Sequence, residues 1–161
     1  MKKILCILLT FIFICSGCKK SSEVTCVTAG LSFNAEVKDE NGISNYKVII
    51  SKNRETLIYE TNNPGLKYKF SENKLILSYN NLSQSYIITE LPKSNPLFLY
   101  SAFAKLNKED KAVYKNKEYI LIKKTDKFDY KIKVSNKGIP IEAEEKNNNL
   151  KVKIKNLSLI K

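Results

Sequence analysis

Along most of this chain apolar and polar residues alternate, and a period of two is the mark of a half-buried β-strand. Leu31, Phe33, Ala35 and Val37 alternate with Ser32, Asn34, Glu36 and Lys38. The pattern returns at Tyr46, Val48 and Ile50, over 56–59, at Leu66, Tyr68 and Phe70, at Leu75, Leu77 and Tyr79, and over 86–88. Further on, 119–122 is apolar, and Phe128, Tyr130, Ile132 and Val134 alternate with Asp129, Lys131 and Lys133. Ile139, Ile141 and Ala143 follow, with Pro140 restricted to an edge or irregular position, and Leu150, Val152, Ile154 and Leu157 close the chain. Turn residues separate these runs: Asp39–Gly42 with its Asn-Gly pair, Asn53-Arg54, Asn62–Gly65, Glu72-Asn73, Asn80-Asn81, Asn136–Gly138 and Asn147–Asn149. The spacing predicts about nine or ten antiparallel strands.

One stretch breaks the rhythm. From Leu91 the chain reads LPKSNPLFLYSAFAKL, and over 96–106 the period becomes helical. Asn95 is placed to cap and Pro96 to occupy the first helical position, where a missing N–H costs nothing. Leu99, Ala102, Phe103 and Leu106 then share one face, widened by Phe98. Eleven residues make a rod of roughly 17 Å, about the width of a small curled sheet. A sheet that is apolar on one face must cover it. The expected fold is therefore mainly β (α+β): a curved antiparallel half-barrel wrapped around one central apolar helix. Phe98, Leu99, Phe103 and Leu106 serve there either as packed core or as a lid over an apolar cavity.

The first residues are of another kind. Lys2 and Lys3 precede an apolar run, Ile4 to Ile14, that is too short to span a bilayer. Ser16 and Gly17 are small residues before Cys18, and a polar stretch begins at Lys19. This is the layout of an export signal over 1–17, cut between Gly17 and Cys18. The run Ile14–Cys18 resembles a bacterial lipobox, which implies a diacylglycerol on the Cys18 thiol and an extracytoplasmic, membrane-anchored protein. A tether over 18–30 then leads to a domain over 31–161. Of the four cysteines, Cys6 and Cys15 leave with the signal and Cys18 is acylated. Cys26 is then left without a disulfide partner.

Composition narrows the function classes. The net charge is +12, but Arg54 is the only arginine. Nucleic-acid readers lean on arginine forks, so lysine on solvated faces and sheet edges, or attraction to an anionic surface, fits better. The chain has no histidine, which removes Ser-His-Asp and Cys-His catalysis and the usual zinc sites. Glu142 and Glu144 share one side of a strand beside Glu145 and Lys146, a stretch that reads as solvated rather than as a desolvated acid. Tyr68, Tyr79, Tyr86, Tyr119 and Tyr130 sit in strand patterns, as cross-strand packing or as a platform for a glycan. No catalytic residue, metal site or cofactor is expected.

The closing segments carry a resemblance. Phe128-Asp129-Tyr130-Lys131-Ile132, then Asn136-Lys137-Gly138-Ile139-Pro140-Ile141, then Asn147-Asn148-Asn149-Leu150-Lys151-Val152 resemble the last hairpins of the LolA/LolB-like lipoprotein-carrier superfamily. The likeness of order and turn chemistry covers about 31–160. It implies an unclosed antiparallel barrel with helices over its concave face, which in the periplasmic carriers holds acyl chains. Those carriers are soluble and open with a long helix, whereas this chain has Cys18 and a short polar stretch. It is more similar to the anchored GerS-type germination lipoproteins of Gram-positive spore-formers. That resemblance implies a non-enzymatic protein that binds a cell-wall amidase. Its alternative is a lipid-binding carrier or sensor, and a free sheet edge offers a route to a homodimer.

Overall fold

The computed structural model describes residues 23–147 and 149–160. The export signal, the cleavage site at Gly17 and Cys18, and the first part of the tether lie outside these residues. Twelve strands follow the order β1 (Glu23–Thr25), β2 (Gly30–Asp39), β3 (Gly42–Ile50), β4 (Thr56–Glu60), β5 (Leu66–Ser71) and β6 (Lys74–Tyr79). Then come β7 (Leu82–Ile87), β8 (Lys111–Lys115), β9 (Glu118–Lys124), β10 (Asp129–Val134), β11 (Pro140–Glu145) and β12 (Leu150–Ile160). All join one antiparallel sheet in the order β1-β8-β9-β10-β11-β12-β2-β3-β4-β5-β6-β7. The sheet is open, with β1 and β7 at its two ends.

The period of two becomes layers of side chains across the strands. Leu31 lies opposite Ile50, Ile50 opposite Thr56, Thr56 opposite Phe70 and Phe70 opposite Leu75. In the other half Val37, Val152, Ala143, Ile132 and Leu121 line up the same way. Every one of these residues is buried. Burying one such aliphatic or aromatic side chain contributes about 1.5–3 kcal/mol, so this face supplies the stability.

Two expectations need correction, and one strand was not anticipated. The tether is shorter than 18–30, because Glu23–Thr25 pair with Val113, Ala112 and Lys111, and Cys26 is buried behind them. β8 lies in a stretch with little apolar signal, since only Ala112 is fully buried there. Its hairpin with β9 turns on Asn116 (φ 51°) and Lys117 (φ 68°), a left-handed pair made without glycine. The helical stretch is also shorter and capped differently. An α-helix, α1, covers Asn95–Leu99 with Ser94 as its N-cap, and the chain continues as a π-helix over Tyr100–Ala104. Asn95 does not cap; its Nδ2 donates to Asp39 Oδ2 at 2.8 Å.

Candidate functional site

The segment from Ile88 to Asp110 leaves β7 at one end of the sheet and enters β8 near the other. On the way it lies on the apolar face. Pro96 through Ala104 are all buried, as is Leu106, although the expected stripe had only one apolar face. A helix surrounded by apolar contacts on every side is core rather than surface. Phe103 meets the ring of Phe33 on β2 edge-on at 5.3 Å, and Phe98 meets Phe128 and Tyr130 at 5.3 and 6.0 Å. Tyr100 stacks on Phe70 of β5 at 4.6 Å.

Hydrogen bonds fasten the segment to both halves of the sheet. Near its start Lys127 donates to the Leu91 carbonyl, and Asn95 to Asp39. In the middle the Tyr130 hydroxyl donates to Ser101 O at 3.0 Å and the Tyr100 hydroxyl to Glu72 O at 3.1 Å. At its end Arg54 donates to Leu106 O at 2.8 Å, and Lys123 to Lys105 O at 3.1 Å and to Asp110 Oδ2 at 2.7 Å. One π-helical carbonyl, Ser101 O, and the two carbonyls just past that helix, Lys105 O and Leu106 O, thus receive side-chain donors.

Beside the helical segment the space left over is small. Where Ile88 and Thr89 approach Thr125–Lys127, an opening of about 140 Å³ reaches Leu97 and Ser101. That is well below the several hundred Å³ of a usual ligand pocket. A larger hollow of about 570 Å³ lies at the edge by β7, lined by Glu55, Glu72, Asn73, Lys74, Tyr86 and Ile87 among others. It is open and mixed in polarity, unlike an acyl-chain cavity.

The candidate chemical groups take structural places. Glu142 pairs with Lys133 at 3.5 Å and Glu144 with Lys151 at 3.3 Å on the outer face. Glu145, which the sequence groups with them, is instead turned inward and 1 % exposed, with Lys93 Nζ 3.9 Å away. Its place opposite Tyr130 puts it on the core side, and the alternation Ala143/Glu145 was the signal for it. Tyr130 and Tyr119 are buried and Tyr68 and Tyr86 partly so against the core, while Tyr79 is exposed. They do not form a shared platform: Tyr79 lies opposite Leu66 and Leu82, and Tyr86 opposite Leu75. Among the described residues no cluster of three or more His, Cys, Asp or Glu is placed to hold a metal.

Cys26 is a protonated, packed thiol. Desolvation, and secondarily the Asp110 carboxylate, push it up to about 11 against a weaker opposing pull from Lys123. The folded state keeps a proton that the unfolded thiol loses near pH 9. Its contribution to stability is therefore complete below pH 9 and is lost as pH rises through 11. We expect the urea midpoint to fall between pH 9 and pH 11, and to fall less in Cys26→Ala, as followed by tryptophan-independent circular dichroism.

No protein-family model matches the chain, and no curated protein matches it. Among solved structures it is similar to the crystal structure of LolA superfamily protein NE2245 from Nitrosomonas europaea. That similarity covers 86% of this chain and 89% of the other, at 9% identity and a TM-score of 0.44.

Proposed function

We propose that this chain is an exported lipoprotein, held at the membrane through Cys18, that acts by docking a partner and performs no chemistry itself. The observation that supports the reading best is the filled apolar face. Phe98 and Tyr100 point to nearly opposite sides of the helix, 200° apart at 100° per residue. One meets β10 and its approach, the other β5. Six strand spacings of about 4.8 Å separate those strands along the sheet. This supports a sheet curled as a half-barrel around its own helix, in the LolA-like manner. A protein so filled offers its outside, not a cavity.

The resemblance to GerS-type lipoproteins makes a cell-wall amidase the partner to test. The full chain in mild detergent is expected to co-elute with such an amidase in size exclusion. If no wall hydrolase associates with it, the docking reading fails. A second reading, a lipid carrier or sensor, draws on the opening onto Leu97 and Ser101 and on the π-helix beneath it. π-helical turns often mark functional sites. On that reading α1 and the π-helix swing aside to admit an acyl chain.

A further inference from the structure

We infer that two copies of this chain pair through β7, antiparallel about a two-fold axis at Ser85. The edge itself suggests it. Among the described residues, β7 alone of the twelve strands carries no charged residue: Leu82-Ser83-Gln84-Ser85-Tyr86-Ile87. It stands at the end of the sheet, where proteins usually place lysine, proline or a bulge to prevent pairing. The β1 edge, in contrast, carries the charged Glu23.

The register follows from the neighbouring hairpin. β6 and β7 are joined by a two-residue turn, with Tyr79 opposite Leu82. That closing pair is hydrogen-bonded, and bonded pairs then alternate along the ladder. Leu82, Gln84 and Tyr86 therefore turn their backbone groups toward β6. The Ile88 N–H continues this row, donating to Asn73 O at 2.9 Å. Ser83, Ser85 and Ile87 turn theirs away from the sheet, and among the described residues no strand lies on that side.

A second β7 satisfies all three at once. With Ser85 opposite Ser85 of the other copy, Ser83 lies opposite Ile87 and Ile87 opposite Ser83. Six backbone hydrogen bonds result. On the core side Gln84 lies opposite Tyr86. Exposed Ile87 (48 %) gains cover along the outer side. Charge also favours this occupant. In a chain of net charge +12, two copies meet without like charges in contact. Lys74, in line with Ile87, stands about four residues and three strand spacings from its counterpart, roughly 19 Å, beyond the Debye length of ~10 Å at 0.1 M salt. The pairing is isologous, as a two-fold dimer requires.

The test uses the full chain in mild detergent with single cysteine substitutions. Bonded antiparallel partners have Cα atoms about 5.5 Å apart, within disulfide reach. Under mild oxidation Ser85→Cys should cross-link to a dimer above the unsubstituted background. Ser83→Cys alone should not, its copies being roughly 14 Å apart, whereas Ser83→Cys mixed with Ile87→Cys should. Ser85→Lys, an exposed change that leaves the monomer fold intact, should convert the dimer to monomer by light scattering. The inference is overturned if the unsubstituted chain is monomeric at every concentration, if Ser85→Lys stays dimeric, if Ser83→Cys cross-links alone, or if the edge is taken by a strand of a different protein.

Discussion

Gly138→Ala will lower the stability of this protein by about 4 kcal/mol, a large share of the ~5–15 kcal/mol that holds a domain folded. Two effects add. Gly138 has φ +75°, a left-handed conformation that costs a residue with a Cβ about 1–3 kcal/mol. An added Cβ would also stand 2.0 Å from Thr25 O and 3.0 Å from Thr25 C, both backbone atoms. Relief requires β1 to move away from the β10–β11 hairpin. That movement breaks the bond from Val27 N to Gly138 O, 2.9 Å, and strains the one from Cys26 N to Asp110 O, 3.0 Å. We expect a lower urea midpoint and a Cys26 thiol that reacts faster with a maleimide. Gly42→Ala is the control: its φ is +130°, but nothing lies within 4 Å of the new Cβ, so only the backbone penalty applies.

Phe98→Ala will cost about 3–5 kcal/mol, the range for removing a buried aromatic ring whose cavity does not collapse. The ring is fully buried and meets Phe128 and Tyr130 edge-on. Collapse is opposed because α1 is fixed at its start by Asn95–Asp39 and farther along by Tyr130–Ser101. The expected signature is a lower denaturant midpoint with an unchanged slope. Leu82→Ala, at a site 76 % exposed, should change the monomer by no more than about 0.5 kcal/mol. If Phe98 were part of a loose lid, the two substitutions would be alike.

Much of the fold was legible because burial imposes a period of two. The run Leu31, Phe33, Ala35, Val37 became β2, and Phe128 to Val134 led into β10 with the expected face inward. A hairpin formed where the Asn-Gly pair lies, but its two-residue turn is Glu40-Asn41, with Gly42 (φ 130°) already paired with Asp39. What was missed carries weak apolar signals. β1 and β8 are edge-side strands whose pairing comes mainly from backbone bonds, which leave little trace in composition. The Asn116-Lys117 turn adopts two positive φ values without glycine, so the strongest hairpin signal was absent.

The helix was legible as an apolar interruption, but its detail was not. A stripe at Leu99, Ala102, Phe103 and Leu106 presupposes regular turns, and the change to a π-helix after Leu99 alters which residues align. Phe98, Leu99, Phe103 and Leu106 are all buried. The tie points that fasten the segment, Arg54, Lys123 and Lys127, are long charged side chains that composition assigns to the surface. Their apolar stems and terminal donors let them lie along the fold and still reach carbonyls. Glu145 was hidden in the same way, by charged neighbours that do face solvent.

The central claim is that the apolar face is occupied by the protein's own chain. Native mass spectrometry of the full chain, released from detergent and compared with its denatured mass, tests this most directly. Equal masses per chain are predicted, whether one copy or two fly together, because any lipid on Cys18 is covalent and persists in both. A native mass higher by one phospholipid or fatty acid, lost on denaturation, would contradict it.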